Sequence, residues 1–315
     1  MHASLSMRWL RCVVAAACVV LAPQLYAQSV ALTFDDGPNL GATPRLSPQE
    51  RNAAMLAALA KHRIKAALFV TAGYGADRPE GWRLARAWGQ AGHVIGNHTM
   101  THPDLDSEQV SLAQYQREVL YCDRLIATLP GYRKWFRFTY LREGNTQEKR
   151  DGMRIFLRQL GYRNAYVTLD TSDWRLNDKL VEVLEKNPQA GDAELEPIRQ
   201  AYLGHIRQRA LAYRALAQRL QGRDIPQVLL LHHNLINALW LDDLIRQFKQ
   251  MGWSITTPAD AYADPVYQLM PDRAAPGQSL LLSMGRSLGL STADLGIRLM
   301  DDGDAEIEAL KAQGL

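Results

Sequence analysis

The chain has 315 residues, 47% of them hydrophobic and 22% charged, with a formal net charge of +3. That balance suits one large α/β domain or two small ones. It excludes a disordered chain, a collagen-like or coiled-coil fibre and a multi-span membrane protein.

Residues 1–27 differ from the rest. Arg8 and Arg11 precede an apolar run from Cys12 to Ala22, followed by Pro23 and the small-residue end Leu25-Tyr26-Ala27. This predicts a secretory signal peptide cleaved after Ala27, and hence a periplasmic or secreted protein. The alternatives are an uncleaved anchor, for which the run falls short of the ~20 residues of a spanning helix, and a lipid-modified Cys18. Losing Arg8 and Arg11 leaves 34 basic against 33 acidic residues. A nearly neutral protein argues against nucleic-acid binding, which needs a clustered basic surface. Only Cys122 remains, so no internal disulfide is expected, and its place in a helical stretch reads as a small buried apolar residue.

From there on, short apolar runs alternate with amphipathic segments, the pattern of βα units. Strands are expected at 30–33, 66–71, 93–97, 135–139, 165–169, 228–232 and 254–257, with helices at 48–62, 82–91, 112–129, 147–160 and 240–251. Gly92, Gly161 and Gly252 stand where helices should stop. Seven such units predict an irregular or incomplete parallel barrel, with a doubly wound open sheet as the alternative; both place chemistry at the carboxyl ends of the strands. A long interval before residue 228 holds a helical stretch at 195–220, read as an inserted excursion that either walls the cleft or packs on the exterior. From Asp264 onward, Pro265, Pro271, Pro276 and Gly277 suggest a loop before a short helical tail.

Two segments carry the chemistry. Thr33-Phe34-Asp35-Asp36-Gly37-Pro38 follows the first apolar run, holding two carboxylates at a strand end where one can bind a metal and the other take a proton. Gly96-Asn97-His98-Thr99-Met100-Thr101-His102-Pro103 follows another strand; histidines four apart present both imidazoles to one ion if the segment makes a helical turn. Two histidines and a carboxylate suit Zn²⁺ or a similar divalent ion with positions left open, the arrangement of a hydrolase rather than of a closed structural site.

On these motifs the chain resembles the polysaccharide deacetylases of the NodB-homology type, carbohydrate esterase family four, from about Val30 to Thr257. The resemblance implies an α/β fold, an irregular (β/α)7 barrel. It also implies a deacetylase domain over 28–262 with a helical insertion about 178–224, and a C-terminal extension over 263–315. It implies Asp35 as general base and Asp36, His98 and His102 as ligands of a divalent metal, Zn foremost, with Co or Ni as alternatives. Arg137-Phe138-Thr139-Tyr140-Leu141 resembles the third motif, with Arg137 orienting the base and the Tyr140 backbone N–H facing the oxyanion. Thr139 and Leu141 depart from the usual Pro and Gly there. Asp170-Thr171-Ser172-Asp173-Trp174 resembles the fourth motif, implying that Asp173 orients the acid and Trp174 walls the acetyl pocket. In Leu229-Leu230-Leu231-His232-His233, Leu230 would meet the acetyl methyl and His232 would be the general acid. Neighbours on a strand point to opposite faces, so only one of the two histidines should enter the site, and His232 is the one expected.

The implied substrate is an N-acetylated amino sugar, in chitin-like oligosaccharide or peptidoglycan. An O-acetyl esterase on a xylan-like polymer and a non-catalytic carbohydrate-binding relative are the rival readings. Trp82, Trp88, Trp135 and Trp240 are candidate sugar platforms, with core packing the default for each.

Overall fold

The computed structural model describes residues 28–271, 279–296 and 303–315; the expected signal segment, with Cys12 and Cys18, lies outside them. The strands are β1 Ser29–Asp35, β2 Ala67–Val70, β3 Val94–Asn97, β4 Tyr132–Phe136, β5 Arg163–Asn164, β6 Gln227–His232 and β7 Ser254–Ile255. They run parallel in the order β5-β4-β3-β2-β1-β6, and β7 pairs with the start of β1. The helices among the described residues are α1 Pro48–Lys61, α2 Pro79–Gln90, α3 Leu112–Ile126, α4 Gln147–Gln159, α5 Asp173–Lys186, α6 Asp192–Gln221, α7 Leu235–Gln250, α8 Pro258–Ala261, α9 Leu280–Ser287, α10 Thr292–Leu295 and α11 Asp304–Ala312.

Parallel strands need crossovers, and helices on the outside bury both strand faces. Val30 to Phe34 of β1 are accordingly inaccessible to solvent along their whole length. Local chemistry sets the helix starts. Ser47 with Glu50 and Ser111 with Gln114 form capping boxes for α1 and α3, and Asn234 caps α7. Gly92, Gly161 and Gly252 take left-handed backbone just past α2, α4 and α7, as their positions imply.

The sheet curls into an incomplete barrel ringed by helices, an α/β fold. The strand expected at 165–169 is largely absent. β5 covers only Arg163–Asn164, against β4, while Leu169 forms a single bridge to Leu229 of β6. This segment leaves one sheet edge and arrives at the opposite one, so it cannot form a ladder with either along its length. The strand expected at 135–139 also shifts to Tyr132–Phe136, where the register against β3 slips between Ile95 and Asn97. Helix α7 starts at Leu235, well before the expected residue 240, because Asn234 supplies the cap. After Asp264 a 3₁₀ turn covers Pro265–Gln268, the expected loop at 272–278 with Pro276 and Gly277 lies outside the described residues, and the expected helical tail is built of α9, α10 and α11. Helix α6 packs against α5, α7 and α9, and α11 packs against α5 and α6. Trp88 and Trp135 are buried. Cys122 is buried too, its thiol donating to the Val70 carbonyl at 3.3 Å.

Candidate active site

Parallel strands deliver all their carboxyl ends to one side of the barrel. Asp35 ends β1 and lies in register with His232, which ends β6. A cavity of about 510 Å³ opens at this end, lined by Asp35, Asp36, His98, His102, Tyr140, Trp174, Leu230 and His232. Arg137 and Asp173 stand behind it, 1% and 0% exposed.

The next residue, Asp36, turns out of β1 with left-handed backbone (φ 62°) and accepts from the Thr71 hydroxyl at 3.0 Å. His98 and His102 come together differently from the expected helical turn. Residues 98–102 form a bent loop in which Thr99 and His102 have φ of 74° and 60°. Hydrogen bonds from Ala72 to the Thr99 carbonyl, from Gly73 to the Met100 carbonyl and from Thr99 to the Asn97 side chain hold it in place. The strain of such backbone persists only where surrounding bonds over-determine it, as here. One oxygen of Asp36 lies 3.8 Å from His98 Nε2 and 3.5 Å from His102 Nε2.

These three donor atoms lie within 4.8 Å of one another. Ligands of a tetrahedral ion bound at ~2.0–2.1 Å sit roughly 3.4 Å apart, so modest contraction would complete the site. The tautomer also suits a metal. His98 Nδ1–H donates to the Arg137 carbonyl at 2.8 Å, which leaves the Nε2 lone pair facing the cluster. Burial drives the His98 imidazole down to about 3, the neutral form that ligation requires.

Asp35 occupies a different position. Its side chain accepts from Arg137 Nη1 at 2.7 Å, and Arg137 also donates to Thr33 Oγ1 at 2.8 Å, to the Ala165 carbonyl at 3.0 Å and to the Tyr262 hydroxyl at 3.0 Å. The guanidinium lies over the Phe69 ring at 4.0 Å. Burial lifts the Asp35 carboxyl above its ordinary range, with the Arg137 charge pulling against it.

Across the cavity, His232 Nδ1–H donates to Asp173 at 2.6 Å. The other Asp173 oxygen accepts from the His232 backbone at 2.9 Å, Asn234 at 3.1 Å and Asn237 at 2.6 Å. Burial lowers the His232 imidazole, but the charge and hydrogen bond of Asp173, with the nearby Asp36 and Asp35 charges, together outweigh it and hold the imidazole up to about 10. Burial likewise would raise Asp173, and the His232 charge and converging donors keep it below the usual carboxylate range. His233 points the other way, as strand alternation requires, and is buried with Nε2–H donating to Asn52 at 3.1 Å.

The third motif is a tight turn in which Tyr140 and Leu141 both have φ of 55°. Thr139 is pinned by its N–H to the Tyr115 hydroxyl at 3.2 Å and by its own hydroxyl to the Pro103 carbonyl, an anchor that a proline there would lack. The amides of Leu141 and Arg142 bond back to Phe138 and Thr139, while the Tyr140 amide is not among the paired backbone groups of this turn. The Tyr140 ring stands edge-on to His102, centroids 4.5 Å apart, and is half exposed. Left-handed backbone reverses the usual preference for Ala over Gly by roughly 1 kcal/mol. Leu141→Gly is therefore expected to be more stable than Leu141→Ala by thermal unfolding, and the opposite order would contradict this turn.

A family model described as polysaccharide deacetylase matches residues 23–165. Over that span the chain is similar to the polysaccharide deacetylases of the NodB-homology type. A chitooligosaccharide deacetylase of Sinorhizobium fredii is 43% identical over 100 residues, 32% of this chain and 40% of that one. A peptidoglycan-N-acetylglucosamine deacetylase of Bacillus cereus is 30% identical over 147 residues, 46% of each. The alignments thus span less than half the length of these relatives. The chitin deacetylase of Colletotrichum lindemuthianum has a similar fold, with a TM-score of 0.52 and 19% identity, covering 80% of this chain and 92% of that one. Asp173, Trp174 and His232 lie beyond the matched span, so their placement opposite Asp35 is independent of the family match.

Sequence reasoning missed several residues that shape the cavity. Thr71, Tyr262 and Asn237 hold Asp36, Arg137 and Asp173 respectively, and Tyr74, Phe138 and Arg142 line the wall. Thr71, Tyr74 and Tyr262 come from elements distant in sequence from the motifs, whereas Phe138 and Arg142 lie in and beside the third motif and Asn237 follows the last one. Only the spacing of Asn234 and Asn237 at the start of a helix offered a signal.

Proposed function

We propose that this chain is a metal-dependent deacetylase that hydrolyses the acetyl amide of N-acetylated amino sugars, in chitin-like oligosaccharide or peptidoglycan. The observation that carries the reading is the meeting, in one cavity, of the Arg137-held carboxylate of Asp35, the Asp36–His98–His102 cluster and the Asp173-held imidazole of His232. Asp36, His98 and His102 would hold the ion, Zn²⁺ in the first instance with Co²⁺ or Ni²⁺ as alternatives. Such an ion supplies Lewis-acid polarisation of the acetyl carbonyl and acidifies water.

The chain's own groups do the rest. Asp35 accepts the proton of the attacking water, and Arg137 keeps the carboxylate aimed. The Tyr140 amide donates to the developing oxyanion. His232, charged at neutral pH, gives its Nε2 proton to the departing nitrogen as the C–N bond breaks, and Asp173 steadies the imidazolium. Leu230 and Trp174 enclose the acetyl methyl. The products are acetate and the free amine.

In this reading residues 28–262 form the deacetylase domain, with the insertion at about 178–224, and residues 263–315 form an extension. Cleavage after Ala27 would deliver it to the periplasm or the exterior, where such polymers occur. No helix among the described residues is long and apolar enough to cross a membrane.

Acetate release from N-acetylglucosamine oligomers, peptidoglycan and acetylated xylan tests the substrate assignment. Release from either amino-sugar substrate supports it. Release from xylan alone would make the protein an O-acetyl esterase, and release from none would overturn catalysis. The pH profile supplies a second expectation. An acid that must be protonated works below its pKa and fails above it, so kcat should fall on an alkaline limb at or below about 10. A bound cation can only lower that limb, because positive charge opposes protonation. A rate still rising through pH 10 would exclude His232 as the acid.

A further inference from the structure

The acid half of the cavity is braced from behind by two elements that carry none of the motif residues. His205, on α6, is 2% exposed. Its Nε2 accepts from the Ser172 backbone N–H at 3.0 Å, and its Nδ1 lies 3.0 Å from Glu306 on α11. A backbone amide can only donate, so Nε2 presents its lone pair and Nδ1 carries the proton, directed at the Glu306 carboxylate. The chain of contacts therefore runs from the C-terminal helix, through the long helix, to the backbone of Ser172, just ahead of α5, whose first residues are Asp173 and Trp174.

Ser172 is itself buried, and a buried amide without an acceptor is strongly disfavoured. It immediately precedes Asp173. The Asp173 carboxylate is gripped from the front by His232, Asn234 and Asn237, and the backbone at its N-terminal side is gripped from the back by His205. The contact is close elsewhere too. Gly303, at the start of α11, has φ of 79°, and a Cβ there would lie 3.5 Å from Ser172 Cβ and 3.4 Å from Arg175 Cγ. Asp304 lies 3.4 Å from Arg175 Nε.

We propose that His205, oriented by Glu306, is a positioning residue for general-acid catalysis, fixing the Ser172–Asp173 backbone so that Asp173 meets His232 squarely. This gives the long helix and the C-terminal helix a part in the reaction, and it rests on the deacetylase reading above. His205 touches no reacting atom. Its effect should therefore appear only where a proton must be delivered to the leaving group.

The test compares two substrates. Release of an amine from a chitin tetramer requires protonation of nitrogen, whereas 4-nitrophenyl acetate expels a phenolate that leaves unprotonated. His205→Leu, which fills the space without an acceptor, is expected to lower kcat on the tetramer about tenfold or more, with KM within about twofold and turnover of the aryl ester within about threefold. His205→Gln, whose amide oxygen can accept from Ser172 while its NH₂ donates to Glu306, should restore most of the loss. If His205→Leu does not fold, Glu306→Leu reads the same split with a smaller loss. Equal losses on both substrates, an unchanged tetramer rate, or failure of the Gln variant to rescue would overturn the inference. A wild-type enzyme inactive on both substrates would instead overturn the deacetylase reading and this inference with it.

Discussion

Asp35→Asn is expected to lower acetate release by about 10²–10⁴-fold, the usual contribution of a positioned base, while the protein binds its metal unchanged. The substitution keeps the size of the side chain and removes its basicity. Asp35 is 2% exposed and bonded to Arg137 at 2.7 Å, a buried carboxylate held by a buried guanidinium. Removing one partner of a buried pair normally costs about 3–5 kcal/mol. Here Arg137 retains Thr33, Ala165 and Tyr262 as acceptors, and an asparagine oxygen can still accept from it. A folded but inactive variant is the expected result. Turnover within about threefold of wild type would remove Asp35 from the mechanism.

His232→Gln should be comparably damaging on an N-acetyl substrate, about 10²–10³-fold, and far milder on an aryl acetate whose leaving group needs no proton. The variant should also lose the alkaline limb of kcat, because the group that titrates there has gone. The adjacent histidine offers a built-in control. His233 faces away, is held down to about 3 by burial and donates to Asn52, so it cannot take over the role. A His232→Gln enzyme with the same alkaline limb as wild type would assign that limb, and the acid, to another group.

The two leading motifs were legible because each is a short segment leaving a strand, and parallel strands place such segments on one side without further information. The opposition of His232 and His233 was legible for the same reason, strand alternation being a local rule. What the sequence concealed was long-range. The His98–His102 pair comes together through left-handed residues held by the loop after β2, and neither the backbone shape nor its partners follow from a four-residue spacing. Leu141 takes left-handed backbone in a turn whose Thr139 is anchored by Tyr115 and Pro103. That anchoring could not be read from a departure in the motif. The segment at 165–169 has the apolar character of a strand, yet it pairs at its two ends with different edges of the barrel. The packing of α9 and α11 against α6 likewise depends on surfaces far apart in sequence.

The metal dependence of the reaction is the claim on which the account turns. It is tested most directly by stripping the purified protein with a chelator and titrating Zn²⁺ back while following acetate release from an N-acetylglucosamine oligomer. Asp36, His98 and His102 form one three-donor cluster, so activity should be lost on stripping, rise with added metal and level off at one equivalent, and no such recovery should occur in His98→Ala. Full activity in the metal-free protein, or recovery in His98→Ala equal to that of wild type, would contradict the account.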